Sequence, residues 1–141
     1  TIQGQDAPRS EEIITEGGVS VLLVEDNIVN QKLAARMLEK AGCKVDVANN
    51  GKEAVKSWVD ENYQMIFMDC MMPVMDGYEA TREIRRQEGE SGLSRTPIIA
   101  LTANAMEGER ERCQDAGMDE FITKPVKAKQ LKSVVELYLE A

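Results

Sequence analysis

An open parallel α/β sheet is the fold class this sequence predicts, on three observations. Short apolar runs alternate with stretches whose apolar residues repeat at helical spacing, and from Val19 onward there are five of each. The chain has 141 residues, enough for one domain that buries a single core without disulfide or zinc staples. Parallel neighbours can be joined only by crossover connections, so this alternation places helices on both faces of a five-stranded sheet.

The elements follow in order. Residues 1–18, TIQGQDAPRSEEIITEGG, carry few large apolar residues and end in Gly-Gly, so they read as a flexible linker, and the opening Thr1 hints at a fragment of a longer protein. Residues 19–141 form the domain. The runs VSVLLVE, KVDVA, QMIFMD, PIIAL and EFIT are the five strands. After the first, Val29, Leu33 and Met37 fall four apart and are expected to form a buried stripe, with Ala34, Leu38 and Ala41 on the same face. In the second helix Trp58 keeps step with Ala54, Val55 and Val59, which predicts a partly buried ring. The third opens at D-G-Y-E, where Asp76 and Glu79 have the spacing of a capping box and are assigned a structural role. The segment between LTA and EFIT supplies the fourth. In the last helix Leu131, Val134, Val135 and Tyr138 sit at i, i+3, i+4 and i+7.

Composition removes whole classes of function. No apolar run approaches a membrane span and no charged-then-apolar leader opens the chain, so the expectation is a soluble cytoplasmic domain without direct membrane contact. The formal charge of −8 disfavours nucleic acid and anionic lipid as partners. Cys43, Cys70 and Cys113 are odd in number, with no C-x-x-C spacing, and read as ordinary small residues of the core or near-surface. The chain contains no histidine, which excludes Ser-His-Asp catalysis and the phosphohistidine step of a kinase within it.

In open α/β sheets the working site lies beyond the carboxyl ends of the strands. Here the first strand ends in Glu25-Asp26, the third in Asp69 and the fourth in Thr102, and Lys124-Pro125 follows the fifth. Three crowded carboxylates repel one another, so the arrangement makes sense around a divalent cation; with oxygen ligands and no histidine at hand, the natural ion is Mg2+. Beside such an ion the Asp69 carboxylate could attack a phosphoryl group, with Lys124 neutralising charge and the Thr102 hydroxyl donating a hydrogen bond.

VEDN, MDCMMPVMDG, LTA and KP, in this order and at strand ends, resemble the receiver domain of two-component response regulators. The resemblance covers about residues 19–141 and implies a flavodoxin-like (βα)5 fold with strand order 2-1-3-4-5, an order for which such a regulator is itself a standing example. By the same resemblance Asp69 is the phosphoacceptor, Asp26 binds magnesium directly, Glu25 acts through a water on the metal, and the carbonyl of Met71 completes the protein ligands. Thr102, Phe121 and Lys124 fall on the switch hydroxyl, the switch aromatic and the phosphate-pairing lysine. Phe121 stands where many members have tyrosine.

Taken singly, Asp69 reads as a turn residue, Thr102 as a strand-favoured residue and Lys124 as a solvated charge; their joint occurrence favours chemistry. Met71, Met72 and Met75 read as loop packing. A haloacid-dehalogenase-like phosphohydrolase would also use Asp69 as nucleophile, but typically carries a second aspartate two residues on, where this chain has Met71. A flavodoxin would need a phosphate-cradling loop after the first strand, whereas EDNIVN places two negative charges there. DNIVNQKLAARMLEKAG, MDGYEATREIR and TPIIALTANAM resemble receivers attached to hybrid histidine kinases. The short stretch after the fifth helix leaves no room for a DNA-binding output domain, so the expectation is a monomeric, non-enzymatic relay module. The expected partners are a histidine kinase, a histidine phosphotransfer domain or both, with tethering to a membrane sensor kinase an option for the full-length protein. Met71 and Asn104 flank the site and are expected to help set the lifetime of the acyl phosphate.

Overall fold

The structure is a computed structural model that describes residues 19–103 and 106–140; the expected linker at 1–18 and Asn104 lie outside the described residues. In chain order the elements are β1 (Val19–Val24), α1 (Ile28–Lys40), β2 (Cys43–Ala48), α2 (Gly51–Asp60), β3 (Met65–Asp69), α3 (Gly77–Ser91), β4 (Ile98–Thr102), α4 (Glu107–Ala116), β5 (Glu120–Thr123) and α5 (Ala128–Glu140). Every strand pairing is parallel and the spatial order is β2-β1-β3-β4-β5, as the resemblance implies. No described helix is long and apolar enough to cross a membrane.

Helix starts are set by local chemistry. The side chains of Asn27, Asn50 and Asp76 accept hydrogen bonds from the backbone N–H groups of Asn30, Glu53 and Glu79, at 3.0, 2.9 and 2.9 Å. Glu79 reaches back to the Asp76 N–H, completing the capping box that D-G-Y-E predicts. α3 and α4 stop at Gly92 and Gly117, whose φ values of 66° and 103° release the last carbonyls without a Cβ penalty.

The central strands β1, β3 and β4 are buried on both faces, and their side chains alternate between two separate cores, while the edge strands β2 and β5 are only partly covered. Leu22, Val24, Ile66, Met68, Ile98 and Ala100 pack against α2, α3 and α4 through Trp58, Tyr78, Ile84 and Cys113. Val21, Leu23, Met65, Phe67, Ile99 and Leu101 pack against α1 and α5 through Ala34, Leu38, Leu131 and Val135. Trp58 is buried rather than half-buried, its indole N–H donating to Thr96 Oγ1 at 3.2 Å.

Two expectations need correction. The buried stripe of α1 runs through Ala34 and Leu38, while Val29 and Leu33 are exposed and Met37 is only half-buried. Both stripes repeat at the same helical spacing, and small Ala34 lets the helix lie close to the sheet, which turns the bulkier row outward. Of the three loop methionines only Met72 and Met75 pack on the core; the Met71 side chain projects into solvent.

The loop from β3 to α3 is held tightly. A Cβ at Gly77 would fall on the Asp69 carbonyl, with Met68 Cγ 2.9 Å away, so only glycine lets α3 begin against the end of β3. Three residues earlier Val74 sits at φ 73°, a left-handed conformation that β-branched residues resist, and its side chain is exposed. Val74→Asn is therefore expected to stabilise the fold by about 1 kcal/mol, since asparagine tolerates this region. A rise in the urea midpoint at unchanged slope is the check; an unchanged or lower midpoint contradicts the strain.

Candidate functional site

Because β1 and β4 flank β3, the ends of three adjacent strands bring Glu25, Asp26, Asp69 and Thr102 to one edge of the sheet. Glu25 follows β1 and its N–H extends the ladder by donating to the Ala48 carbonyl at 3.1 Å. Asp69 is the last residue of β3, and one of its carboxylate oxygens accepts from the Met71 N–H at 3.2 Å. Thr102 ends β4, buried, and its carbonyl accepts from the Lys124 N–H at 2.7 Å, which fixes the residue after β5 to the same edge. The Lys124–Pro125 peptide is cis.

Lys124 lies between two of the acids. Its Nζ is 3.1 Å from Asp69 Oδ2 and 3.3 Å from Glu25 Oε1, and both carboxylates are nearly shielded from solvent. Burial pulls the Lys124 ammonium toward neutrality, but Asp69 and Glu25 together outweigh that and hold it above its ordinary range. Burial, opposed by the Asn27 N–H and reinforced by the charge of Asp69, pushes the Glu25 carboxyl above its ordinary value. Asp26 is exposed at the mouth. Carboxylate oxygens of Glu25, Asp26 and Asp69 all lie within 4.8 Å of one another. Three carboxylates against one ammonium leave a net charge of about −2, and a set of hard oxygen donors at this spacing fits a hard divalent cation.

A model of the response regulator receiver domain matches residues 21–136. The chain belongs to the response regulator receiver domain family. The peroxide stress-activated histidine kinase mak1 of Schizosaccharomyces pombe is 40% identical over 94% of this receiver domain, and hybrid signal transduction histidine kinase K of Dictyostelium discoideum is 42% identical over 86%. The chain spans only 8% and 10% of the lengths of those two relatives. Among solved structures, the receiver domain of a sensor histidine kinase from Pseudomonas aeruginosa PAO1, with a magnesium ion in its active site cleft, is 46% identical with a TM-score of 0.79. The match covers 88% of this chain and 99% of that one. A chain of the Saccharomyces cerevisiae co-crystal of the histidine phosphotransfer protein Ypd1 with the receiver domain of its downstream response regulator Ssk1 is 32% identical. Its TM-score is 0.82, with 86% of this chain and 88% of that chain covered.

Within this receiver domain Glu25, Asp26, Asp69 and Lys124 converge, Thr102 is held at the same edge by its carbonyl bond to Lys124, and Met71 is tied to Asp69 through its backbone. Phe121 stands apart on the edge strand β5, half-buried, with the Arg110 guanidinium 5.0 Å from its ring centre. Two supporting residues escaped the sequence reading. Gln31 donates its side-chain amide to the Glu25 carbonyl and to Asn49 Oδ1, bracing α1 against the acidic turn. Gly77 is the other; its place directly before a capping-box tyrosine gave no sign of the carbonyl it must clear. The contact of Lys124 with Glu25, as well as with Asp69, was also unforeseen, because nothing in the spacing relates the ends of β1 and β5.

Proposed function

We propose that this receiver domain takes a phosphoryl group from a phosphohistidine onto Asp69 and relays it or switches conformation in a two-component phosphorelay. The observation that carries the reading is the Lys124 ammonium 3.1 Å from a shielded Asp69 carboxylate beside two further acids. Asp26, Asp69 and the Met71 carbonyl would hold magnesium, with Glu25 acting through a water, and the ion would supply positive charge to the transferring oxygens. The magnesium in the related Pseudomonas receiver supports that assignment.

An Asp69 carboxylate oxygen forms the new bond to phosphorus as the phosphorus–nitrogen bond of the donor breaks; the imidazole nitrogen keeps the electron pair and is free to take a proton. Lys124 turns from carboxylate to phosphoryl oxygen, and the Thr102 hydroxyl donates to another. Movement of Thr102 then lets the Phe121 ring reorient, coupling the site to the face formed by α4, β5 and α5. No turnover of phosphate esters is expected of the domain alone.

Incubation with acetyl phosphate and magnesium, followed by intact-mass measurement, tests the reading. One added phosphoryl group, removed by hydroxylamine and absent with EDTA, is the expected result; equal labelling in EDTA contradicts it.

The partner we infer is a helical histidine phosphotransfer domain packing across the start of α1 and the loop at Pro73 to Met75. Ile28, Val29, Leu33 and Val74 supply exposed apolar side chains there, and the Ypd1–Ssk1 complex supports a partner of this class. Ile28→Asp is expected to slow transfer from such a partner by about tenfold or more, as loss of a well-packed anchor does, while leaving acetyl phosphate labelling nearly intact. Equal loss with both donors means that the site itself was damaged, and no loss with either places the partner elsewhere.

A further inference from the structure

On the opposite side of β3 from α1 and α5, a second cluster of ligating side chains lies apart from the acidic edge. Cys70 directly follows Asp69, Cys113 and Glu109 lie one turn apart on α4, and their two Sγ atoms and a Glu109 carboxylate oxygen all fall within 4.8 Å of one another. Both cysteines are free and buried, at 1% and 3% exposure, whereas Glu109 is half-exposed. Among the described residues no hydrogen bond or ion pair holds the Glu109 carboxylate. Two thiols and one carboxylate facing one point, with the carboxylate at the solvent side, is a three-ligand set of the kind that binds zinc with a water in the fourth position. The hard acids nearby offer no thiol, so softness separates the two sites.

We propose that Cys70, Cys113 and Glu109 form a site for a thiophilic divalent cation of the zinc class, distinct from the acidic edge. Binding leaves two thiolates and one carboxylate around the ion and releases the two thiol protons to solvent. The ion ties α4 to the residue that follows Asp69. It therefore opposes displacement of α4 and gives metal supply a means of damping the response of that helix to events at Asp69.

Cadmium is a suitable probe, because its thiolate complexes absorb in the ultraviolet and its carboxylate complexes do not. With the reduced protein in a large excess of magnesium, one equivalent of cadmium is expected to produce the thiolate band, and zinc to remove it. Cys43 lies in the other core, among Val19 and Leu38, so Cys43→Ser is expected to leave the band unchanged. Cys113→Ser and Cys70→Ser are each expected to weaken binding by roughly 100-fold, and Glu109→Gln, at a partly exposed position that tolerates change, by about tenfold. No band from the reduced wild type, a band lost with Cys43→Ser, or binding unchanged in Cys113→Ser and Glu109→Gln each overturns the proposal.

Discussion

Asp69→Asn is expected to reduce phosphoryl incorporation from acetyl phosphate to background, the largest functional effect of any single substitution in this chain. Asparagine keeps the volume and an oxygen that can still accept from the Met71 N–H, so the loop geometry survives. What it loses is the negative charge that makes the side chain a nucleophile. Lys124 retains Glu25 at 3.3 Å, so the ammonium is not stranded, and the variant is expected to remain folded. Intact-mass measurement on wild type and variant, side by side, gives the answer. Label that persists in a folded Asp69→Asn protein assigns the acceptor to another residue, such as the exposed Asp26 of the same cluster.

The largest loss of stability is expected from Arg85→Ala, far from the acidic edge. The Arg85 guanidinium donates to the carbonyls of Gly117 and Thr96, both at 2.9 Å, to Glu88 at 2.8 Å and to Asp119 at 2.7 Å. It thereby joins α3 to the entries of β4 and β5. Glu88 is buried and also accepts from the Thr96 N–H, and Asp119 accepts from the Ile98 N–H. Removing the cation leaves the buried Glu88 carboxylate without its cation and Asp119 with the exposed Arg95 alone, and breaking a buried pair in this way costs about 3–5 kcal/mol. Arg95 also reaches Asp119, but its side chain is 58% exposed, and Arg95→Ala should cost less than about 1 kcal/mol. Urea unfolding of the two variants tests the contrast. Equal, small losses would mean that solvent reaches Glu88 and replaces the missing donor.

Much of this fold was legible because its strands are short apolar blocks that end abruptly in polar residues, and a parallel sheet gathers those ends at one edge. Glu25, Asp69 and Thr102 could be placed together on that ground alone. Periodicity failed where two rows compete. Val29, Leu33 and Met37 repeat as regularly as Ala34 and Leu38, and only the close approach of the helix to the sheet decides which row is covered. The Arg85 network was invisible for another reason. Arg85, Glu88, Arg95 and Asp119 are scattered among many charges of an acidic chain, and burial, which makes them matter, is a property of the assembled molecule. Cys70 and Cys113 likewise meet only through the packing of α4 on β3.

The sheet is a bulkhead. Among the described residues, alternate side chains of β1, β3 and β4 fall into one core cluster or the other, so the buried residues of α1 and α5 belong to one cluster and those of α2, α3 and α4 to the other. Changes more than about 7–10 Å apart without shared partners add nearly independently. For a lineage of such chains this separates two kinds of drift: if α1 docks the donor as proposed, its exposed residues can be exchanged without disturbing the packing of α4. A new pairing can thus be acquired on one side while the old reply is kept on the other.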